Sequence, residues 1–406
     1  MKNDALKIAD SAIKAALPYE NTVRILKTIN EENIHVISLG KAAVPMARAA
    51  EDVFGKRIKS GLLITKYAHS EGFSSDIFDI IESGHPISDE NSEKAAEKAL
   101  TLASSLTEND TLIVLLSGGG SALCEKSIVS PSLYKEITER LLSRGAEIRE
   151  INAIRKRLSL IKGGRLASAA FPAKVITAAL SDVLSNDKGI IASSPTVKDT
   201  ESDEFVNSCT EKYLYDIKEK LPLLSSNEAL PVNDGGYFFA GDINLLCEAA
   251  EKKAEALGYT VHRKRRDLTG EASHTASELL ASVPSLPGKH CFTYGGECTV
   301  TINGNGKGGR NQEAALMAAI RLQGKKGIAF LSIGSDGTDG PTDAAGGYAD
   351  GESYIKMLKN GICPEKEINN NNSYYALKGS DGLIITGPTG TNVNDLILIL
   401  TDNYEI

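Results

Sequence analysis

The sequence predicts an α/β protein with two domains and mostly parallel sheets. The chain has 406 residues, which is more than a single hydrophobic core usually serves. Short runs of β-branched and aliphatic residues alternate with longer segments of helical periodicity along the chain, a pattern typical of α/β units. We expect one domain over residues 1–235 and a second over 236–406, with the boundary between them inside 225–290.

In the first half of the chain, apolar positions at helical spacing alternate with short apolar runs. We expect helices over residues 3–28, 40–54, 131–144 and 150–169, and strands over 35–39, 62–65, 77–81, 112–116 and 174–179. A long polar loop over 181–198 separates this half from the next segment.

The second half changes character after a helix-rich stretch over residues 201–285. We expect strands over 237–240 and 260–262, an antiparallel pair formed by 291–294 and 298–302, a helix over 310–322, and strands over 328–333, 383–385 and 396–400. These elements predict a second α/β domain.

The charge balance excludes some classes of function. The 45 Lys and Arg residues are outnumbered by 53 Asp and Glu residues, which gives a formal net charge of −8. A nucleic-acid binder needs a basic face, so we do not expect one, whereas a few converging cations can still bind a small anion. We therefore expect small-molecule partners. A homodimer is compatible with the sequence, although no motif indicates one.

Neither a membrane segment nor a disulfide framework is expected. The longest apolar runs, such as residues 112–116 and 396–400, are far too short to cross a bilayer, and the polar N-terminus has no apolar signal core. The six cysteines include no CxxC pair, so we expect buried, reduced thiols. These features predict a cytoplasmic protein.

Polar, glycine-rich loops follow several predicted strands, at the edge where open parallel sheets bind ligands. In the first of them, Gly40 permits a sharp turn and Lys41 lies at the start of the next helix. A cation there is unfavourable against the helix dipole, which favours an anionic partner for Lys41. A solvated lysine is the alternative.

The second loop combines three glycines with two hydroxyls. It consists of Ser117, Gly118, Gly119, Gly120 and Ser121. The glycines let the backbone approach a phosphate closely, and the hydroxyls can add hydrogen bonds. The loop is neither a Walker A motif nor GxGxxG, and a plain tight turn is the alternative.

On the predicted helix 150–169, Arg155 and Lys162 fall on one side, where they line the same site or form a solvated basic face.

Later loops supply carboxylates and one further cation. Asp182 follows the strand 174–179 and either caps a helix or accepts a substrate proton or a metal. Arg310 starts a helix after nearby glycines. Its planar guanidinium group suits a carboxylate or a phosphate. The alternative is an incidental arginine at a hairpin turn. Glu297 follows two glycines in a strand, where a carboxylate brings no packing benefit.

Three aspartates in one loop resemble an oxygen-ligand site for a hard cation. Asp336, Asp339 and Asp343 are spaced by three and four residues, although the loop does not match an EF-hand. The six histidines are dispersed and suggest no metal centre or triad. His85 either reaches the cleft or belongs to a structural turn, and the turn is the favoured interpretation.

Nine segments of the chain resemble the glycerate 2-kinase family, whose C-terminal part is the MOFRL domain. They are SLGKAA (38–43), SGHP (83–86), LLSGGGSAL (115–123), NAIRKRLSLIKGGRLA (152–167), LSDV (180–183), TYGGECTV (293–300), KGGRNQE (307–313), GSDGTDGPTDAAGG (334–347) and TGPTGTNVNDL (386–396). The segments occur in the order of the family and cover both halves of the chain.

The resemblance implies a Rossmann-like N-terminal domain with a mostly parallel sheet and a second, smaller α/β domain of the MOFRL type, with the active site in the cleft between them. It also implies the reaction of ATP with D-glycerate to give 2-phosphoglycerate and ADP, with ATP and Mg²⁺ as the required nucleotide and metal. Carbohydrate metabolism is the corresponding context.

Within that reaction, we expect Lys41 and Arg310 to hold the glycerate carboxylate and the charge that develops on the transferred group. Asp182 is the candidate that orients or deprotonates the 2-hydroxyl. The loop 117–121 is expected to bind nucleotide phosphates or glycerate. Further contacts to substrate or phosphate are assigned to Arg155, Lys162 and Asn311, and contacts to magnesium to Glu297 and Asp336.

Two alternatives stay open from the sequence alone. An NAD(P)H-dependent hydroxypyruvate reductase would bind the same carboxylate, but the GxGxxG motif with a downstream acidic residue is missing. A non-catalytic sensor of sugar acids would use the same cations without chemistry. Acids clustered with cations favour catalysis over binding alone.

Overall fold

The protein, described here from a computed structural model over residues 1–225 and 230–405, forms two compact units. The first unit comprises Pro18–Ser181 and Asn186–Ala240. The second comprises Met1–Leu17, Asp182–Ser185 and Gly241–Ile406. The chain therefore passes from the first unit to the second after Ala240, and its N-terminal helix belongs to the second unit.

The N-terminal helix, α1 (Lys2–Ala15), precedes a first unit in which helices and strands alternate. These elements are α2 (Pro18–Leu26), β1 (Ile34–Leu39), α3 (Ala43–Phe54), β2 (Ile58–Lys66), β3 (Phe78–Ser83), α4 (Glu90–Ser104), β4 (Thr111–Leu116), α5 (Gly120–Leu123), α6 (Pro131–Ser143), α7 (Ile148–Arg157), α8 (Arg165–Ala169), β5 (Lys174–Leu180), α9 (Asp203–Leu214) and β6 (Asn233–Gly241). A 3-10 turn over Ile191–Ser193 interrupts the long loop after β5.

The first sheet has the strand order β3-β2-β1-β4-β5-β6. Neighbouring strands from β3 to β5 pair in parallel. Strand β4 is buried along its whole length, as its unbroken apolar sequence predicts for a strand covered on both faces. The strand order reverses between β1 and β4, which is the position where doubly wound sheets bind ligands. The expected Rossmann-like sheet is confirmed.

The second unit continues with helices around a mixed sheet. Its elements are α10 (Ile243–Ala256), β7 (Thr260–Arg263), α11 (Ala272–Ala281), β8 (Leu286–Gly296), α12 (Arg310–Arg321), β9 (Ile328–Gly334), β10 (Gly346–Asp350), α13 (Ser353–Lys359), α14 (Pro364–Asn369), α15 (Ser373–Gly379), β11 (Leu383–Ile384) and β12 (Asp395–Tyr404). Its strand order is β11-β10-β9-β12-β8-β7. The pairing is antiparallel except between β7 and β8, so the expectation of mostly parallel sheets holds for the first unit alone.

Helix α12 is the central helix of the second unit's core. Its residues from Asn311 to Leu316 are buried without interruption, and it packs with Phe292, Phe330 and Ile399 of the sheet. A helix buried on so many sides fixes the position of its first residue, Arg310. The sheet and this helix thus set the geometry of one candidate site.

Several sequence-based elements were wrong in detail. The helix expected over 150–169 is divided into α7, which ends at Arg157, and α8. Gly163 and Gly164 lie between them with left-handed backbone angles (φ 61° and 83°) that a continuous α-helix does not allow. Residues 298–302 form no strand, and β8 pairs instead with β12 and β7. Strand β10 and the helices α13 to α15 were not predicted from the sequence.

The cysteines form no disulfide within the described residues. Five of them are buried, as expected, whereas Cys363 is half-buried. Within residues 1–225 and 230–405, no helix combines the length and the apolar character that crossing a bilayer requires.

Candidate functional site

The loops that follow β1 and β4 are joined to each other in the first unit. The Lys41 amide donates to the Gly118 carbonyl at 3.0 Å, and the Ala42 amide donates to the Ser117 hydroxyl at 3.0 Å. A Cβ atom at position 40 would lie 2.2 Å from the Ser117 hydroxyl oxygen, so only glycine fits there. Ser117 is buried and acts as the link between the loops.

The backbone amides of the second loop are free to bind an anion. Among the described residues, the amides of Gly118, Gly119, Gly120 and Ser121 donate to no other protein group. Gly119 has a φ of 89°, which turns the backbone so that successive amides can point to one side. Unpaired amides at the carboxyl end of a parallel sheet form a typical binding site for phosphate or carboxylate.

Lys41 and His85 flank Gly119. A Cβ atom at position 119 would lie 3.1 Å from the His85 ring and 3.4 Å from Cε of Lys41, so the glycine leaves room for both side chains. Lys41 is exposed and lies two residues before α3 begins, not inside the helix as expected. Burial and the neighbouring Lys41 ammonium lower the pKa of His85, which is therefore neutral at pH 7.

A strained turn completes this end of the first sheet. Ala192, Ser193 and Ser194 all have positive φ angles, between 50° and 58°, which cost non-glycine residues about 1 kcal/mol or more each. The turn is held by the Gly163 and Gly164 amides, which donate to the Ser193 and Ser194 carbonyls at 3.2 and 2.8 Å.

The strained turn brings a third hydroxyl to the glycine loop. The Ser193 hydroxyl lies 2.7 Å from the Ser121 hydroxyl and donates to Oδ1 of Asn152 at 3.2 Å. Because a serine has a single hydroxyl proton, Ser121 must be the donor in the first of these bonds. The Ser121 oxygen therefore offers lone pairs to a ligand, which suits a ligand hydroxyl better than an anion.

Arg155 and Lys162 both lie close to Tyr134. Nε of Arg155 donates to the Tyr134 hydroxyl at 3.0 Å, and Nζ of Lys162 is 6.0 Å from the centre of the Tyr134 ring. Lys162 is only 1% exposed and forms an ion pair with the buried Glu125. This burial lowers the pKa of Lys162 to about 7. The structure thus pairs Lys162 with Glu125, and its contact with a phosphate stays a prediction.

In the second unit, Arg310 is held by two carboxylates. Its Nε and Nη2 donate to the two oxygens of Asp395 at 2.6 and 3.0 Å, and Nη1 lies 3.0 Å from Oε1 of Glu297. Burial raises the pKa of Asp395, and the Arg310 guanidinium opposes that rise. These contacts use three of the five N–H donors of Arg310, so two donors stay available for a ligand in the pocket that Arg310 lines.

The antiparallel register explains how residues far apart in sequence meet at Arg310. Asp395, the first residue of β12, pairs with Gly296 at the end of β8 and with Gly334 at the end of β9. Glu297 follows the first of these strand ends and Asp336 lies just beyond the second. Three carboxylates therefore emerge at one edge of the second sheet.

Asp339 caps helix α12 and is not a metal ligand in this arrangement. Its carboxylate accepts the amides of Asn311 and Gln312 at 3.1 and 2.8 Å, and the Gln312 side chain at 2.9 Å. Asn311 is buried, and its side chain bonds to Asp339 and Ser332, which gives it a structural role beside Arg310. Over residues 1–225 and 230–405, no three His, Cys, Asp or Glu side chains come together in a way that could hold a metal ion, so the expectation of a three-aspartate site was wrong.

Asp182 belongs to the second unit although it directly follows the first sheet. It lies two residues after β5, in the segment Asp182–Ser185. Leu184 of that segment lines the same pocket as Glu297 and Arg310. The short segment therefore belongs to the same unit as Arg310 and contributes Leu184 to its pocket.

The residues predicted from the sequence fall into two groups. Lys41 and the loop 117–121 meet in the first unit. Asp182, Glu297, Arg310 and Asp336 belong to the second. Sequence reasoning missed the pairing role of Asp395, the capping role of Asp339 and the hydroxyl of Ser193. For His85, it favoured a structural turn over a place in the cleft.

Comparison with known proteins supports one family over the whole chain. Residues 4–223 match a family described as a domain of unknown function (DUF4147), and residues 290–395 match the MOFRL family. A protein named D-glycerate 2-kinase from Thermotoga maritima is 41% identical, and the match covers 98% of each chain. A protein named glycerate 2-kinase from Pyrococcus horikoshii is 38% identical over 97% of this chain and 96% of its own length.

Solved structures lead to the same group of proteins. A crystal structure of glycerate kinase from Thermotoga maritima superposes with a TM-score of 0.92, covering 98% of this chain and 99% of that one at 41% identity.

A relative from Agrobacterium vitis, 35% identical over 97% of this chain and 93% of its own length, carries the name putative hydroxypyruvate reductase. The relatives thus differ in the activity that their names state.

Proposed function

Because the chain belongs to the glycerate 2-kinase family, we propose that this kinase transfers the γ-phosphoryl group of ATP to the 2-hydroxyl of D-glycerate. The products are 2-phosphoglycerate and ADP. The observation that carries the proposal is the row of unpaired amides from Gly118 to Ser121 beside the exposed Lys41. Phosphoryl transfer depends on positioning and on neutralising charge, and amides next to an ammonium supply both.

We assign the hydroxyl and the charged groups of the substrates to different side chains. The Ser121 oxygen, whose proton is directed to Ser193, accepts a hydrogen bond from a glycerate hydroxyl. Lys41 neutralises negative charge at the same loop. Arg310 uses its two remaining N–H donors for the carboxylate or for the transferred group, and its pairing with Asp395 fixes the direction of those donors.

Asp182 is the residue we assign to the 2-hydroxyl proton. A carboxylate that orients the attacking hydroxyl is a general feature of phosphoryl transfer. Its position two residues after β5, beside a residue that lines the Arg310 pocket, supports this role.

Magnesium fits Glu297 and Asp336. Oε1 of Glu297 contacts Arg310 and Oδ1 of Asp336 accepts the Thr338 amide, and the second oxygen of each has no partner among the described residues. One or two carboxylates together with water and substrate phosphates are the usual ligands of Mg²⁺. When bound, the ion would neutralise charge on the phosphates.

Hydroxypyruvate reduction is the second candidate, since some relatives carry that name. The glycine loop after β4 lacks the GxGxxG pattern of dinucleotide-binding sheets, which counts against it. A sensor without catalysis is the third candidate.

Three parallel assays on one protein preparation separate these functions. Purified protein is incubated with D-glycerate, ATP and Mg²⁺, and the product is identified by phosphorus NMR. Formation of ADP and 2-phosphoglycerate supports the kinase. Loss of hydroxypyruvate that requires NADH or NADPH supports the reductase, and binding of glycerate without turnover supports the sensor. A 3-phosphoglycerate product would overturn the assignment of the 2-hydroxyl.

A further inference from the structure

The first unit contains a largely apolar pocket that the proposed chemistry does not use. Its volume is about 440 Å³, within the range of pockets that bind small molecules. Its walls include Ile87, Val129, Tyr134 and Leu142. Leu142 and Ile87 are 62% and 63% exposed, so apolar surface is open to whatever enters the pocket.

A buried acceptor at this pocket lacks a partner. Glu125 lines the pocket and is 5% exposed. Its Oε2 accepts the Tyr134 hydroxyl at 2.9 Å and pairs with Lys162, whereas its Oε1 has no hydrogen-bond partner among the described residues. An unsatisfied buried acceptor costs about 1–3 kcal/mol, so a ligand that donates a hydrogen bond here would recover that free energy.

The pocket borders the amide loop through one short segment. The His85 ring lies against Gly119, and the next two residues, Pro86 and Ile87, line the pocket. Arg155 also lines it, with its guanidinium beside Tyr134. A ligand that places its apolar part in the pocket can therefore extend an anionic part toward the unpaired amides.

These features match the two ends of a nucleotide. An adenine ring has flat apolar faces, which suit the aliphatic and aromatic walls, and its exocyclic amine is a donor for a carboxylate oxygen. Glu125 and the neighbouring Glu93 and Glu139 repel a phosphate from the pocket itself. In contrast, another pocket of this unit is bordered by the cations Arg149, Lys156, Lys188 and Lys198 and does not suit an uncharged base.

We propose that this pocket binds the adenosine part of the phosphoryl donor, with Oε1 of Glu125 accepting a hydrogen bond from the adenine amine. The proposal rests on the proposed function, since it names the place of the nucleotide in that reaction. Lys162 pairs with Oε2 of Glu125 and leaves Oε1 for the amine, and Arg155, which lines the same pocket, is available to the phosphates.

Filling the pocket tests the proposal. The variant Leu142→Trp places a large ring at the mouth, on an exposed helix position where folding is unaffected. We expect the Kd of ADP, measured by calorimetry, and the KM for ATP to rise at least tenfold, while the KM for glycerate stays within twofold. The matched control is Ile148→Trp, because Ile148 is equally exposed (61%) but does not line the pocket.

A second measurement locates the nucleotide directly. Irradiation with 8-azido-ATP followed by peptide mass spectrometry is expected to label residues 86–93 or 125–142, and excess ADP is expected to prevent the labelling. Labelling confined to other segments, or an unchanged Kd of ADP in Leu142→Trp, overturns the pocket assignment. If the wild type is active in that case, the proposed function stands. If the wild type neither binds ADP nor phosphorylates glycerate, both fail.

Discussion

Arg310 and Asp395 form a two-point ion pair in which Nε and Nη2 of the arginine contact the two carboxylate oxygens at 2.6 and 3.0 Å. Asp395 is 4% exposed, so Arg310, and not solvent, faces its carboxylate. The pair therefore fixes the guanidinium plane and the direction of its two remaining donors. We therefore expect function at this site to depend on the shape of the guanidinium as well as on its charge.

Replacing Arg310 with lysine tests that dependence on shape. Lysine keeps the positive charge but cannot contact both oxygens of Asp395 and still direct two donors to a ligand. We expect Arg310→Lys to lower kcat/KM for glycerate by a factor on the order of 10²–10³. The coupled assay for ADP measures the change, and the midpoint of thermal unfolding shows whether the fold is retained.

The control for this substitution lies on the same helix. Arg321→Lys changes an exposed arginine in the last turn of α12 whose Nε donates to Ser277. Its kcat/KM is expected to match that of the wild type. Equal activity of Arg310→Lys and wild type would refute the role assigned to Arg310.

Lys41 is expected to act on the ligand without contributing to stability. It is exposed, so the variant Lys41→Met removes charge beside Gly119 without exposing a cavity. We expect kcat to fall by a factor on the order of 10²–10³ with the midpoint of thermal unfolding unchanged. Lys56→Met, at another exposed lysine of the first unit, is the control and should retain full activity. If Lys41 only faced solvent, Lys41→Met would retain full activity, as expected for Lys56→Met, and the role assigned to Lys41 would be refuted.

The sequence predicted strands and strand-end loops better than the contacts that organise them. Strand β4 and the glycine loop could be predicted from the sequence, because an unbroken apolar run is followed by glycines. The pairing of Arg310 with Asp395 was not readable, because it depends on the register of β12 against β8 and β9. The turn at Ser193 could not be predicted either. Its three non-glycine residues adopt left-handed angles, and the Gly163 and Gly164 amides that hold them there come from a different loop.

Ser193 is expected to position Ser121 for the substrate hydroxyl. The variant Ser193→Ala removes the acceptor of the Ser121 proton, and Ser121 is then free to turn that proton toward the ligand. Loss of one such hydrogen bond corresponds to about 1–1.5 kcal/mol, so we expect the KM for glycerate to rise roughly tenfold with kcat changed less. Steady-state kinetics at varied glycerate concentration separate the two constants.

The neighbouring residue provides the control for Ser193. Ser194 has the same left-handed angle, but its hydroxyl donates to the Val197 carbonyl at 2.7 Å and does not contact Ser121. Ser194→Ala should therefore leave the KM for glycerate unchanged. Equal changes in both variants would mean that the turn matters only for folding.

Asp339 should make stability depend on pH in a direction opposite to that of most paired carboxylates. Burial raises the pKa of this residue to about 6 from an ordinary value near 3.8. A raised pKa means that the folded state holds the proton more tightly than the unfolded state, so the contribution of Asp339 is fully present below about pH 4 and is lost as the pH rises through 6. Compared with Asp339→Asn, which cannot titrate, the wild type should lose on the order of 2–3 kcal/mol of unfolding free energy across that interval.

Urea unfolding of the wild type and of Asp339→Asn between pH 4 and pH 7 measures this difference. Asp343→Asn, at an exposed aspartate of the same loop, is the control, and its stability should run parallel to that of the wild type. The carboxylate of Asp339 also accepts the amides of Asn311 and Gln312 at the start of α12, which favours the ionised form. If the wild type instead gained stability relative to Asp339→Asn as the pH rose, these donors would outweigh burial, and the capping bond would be the dominant effect at this position.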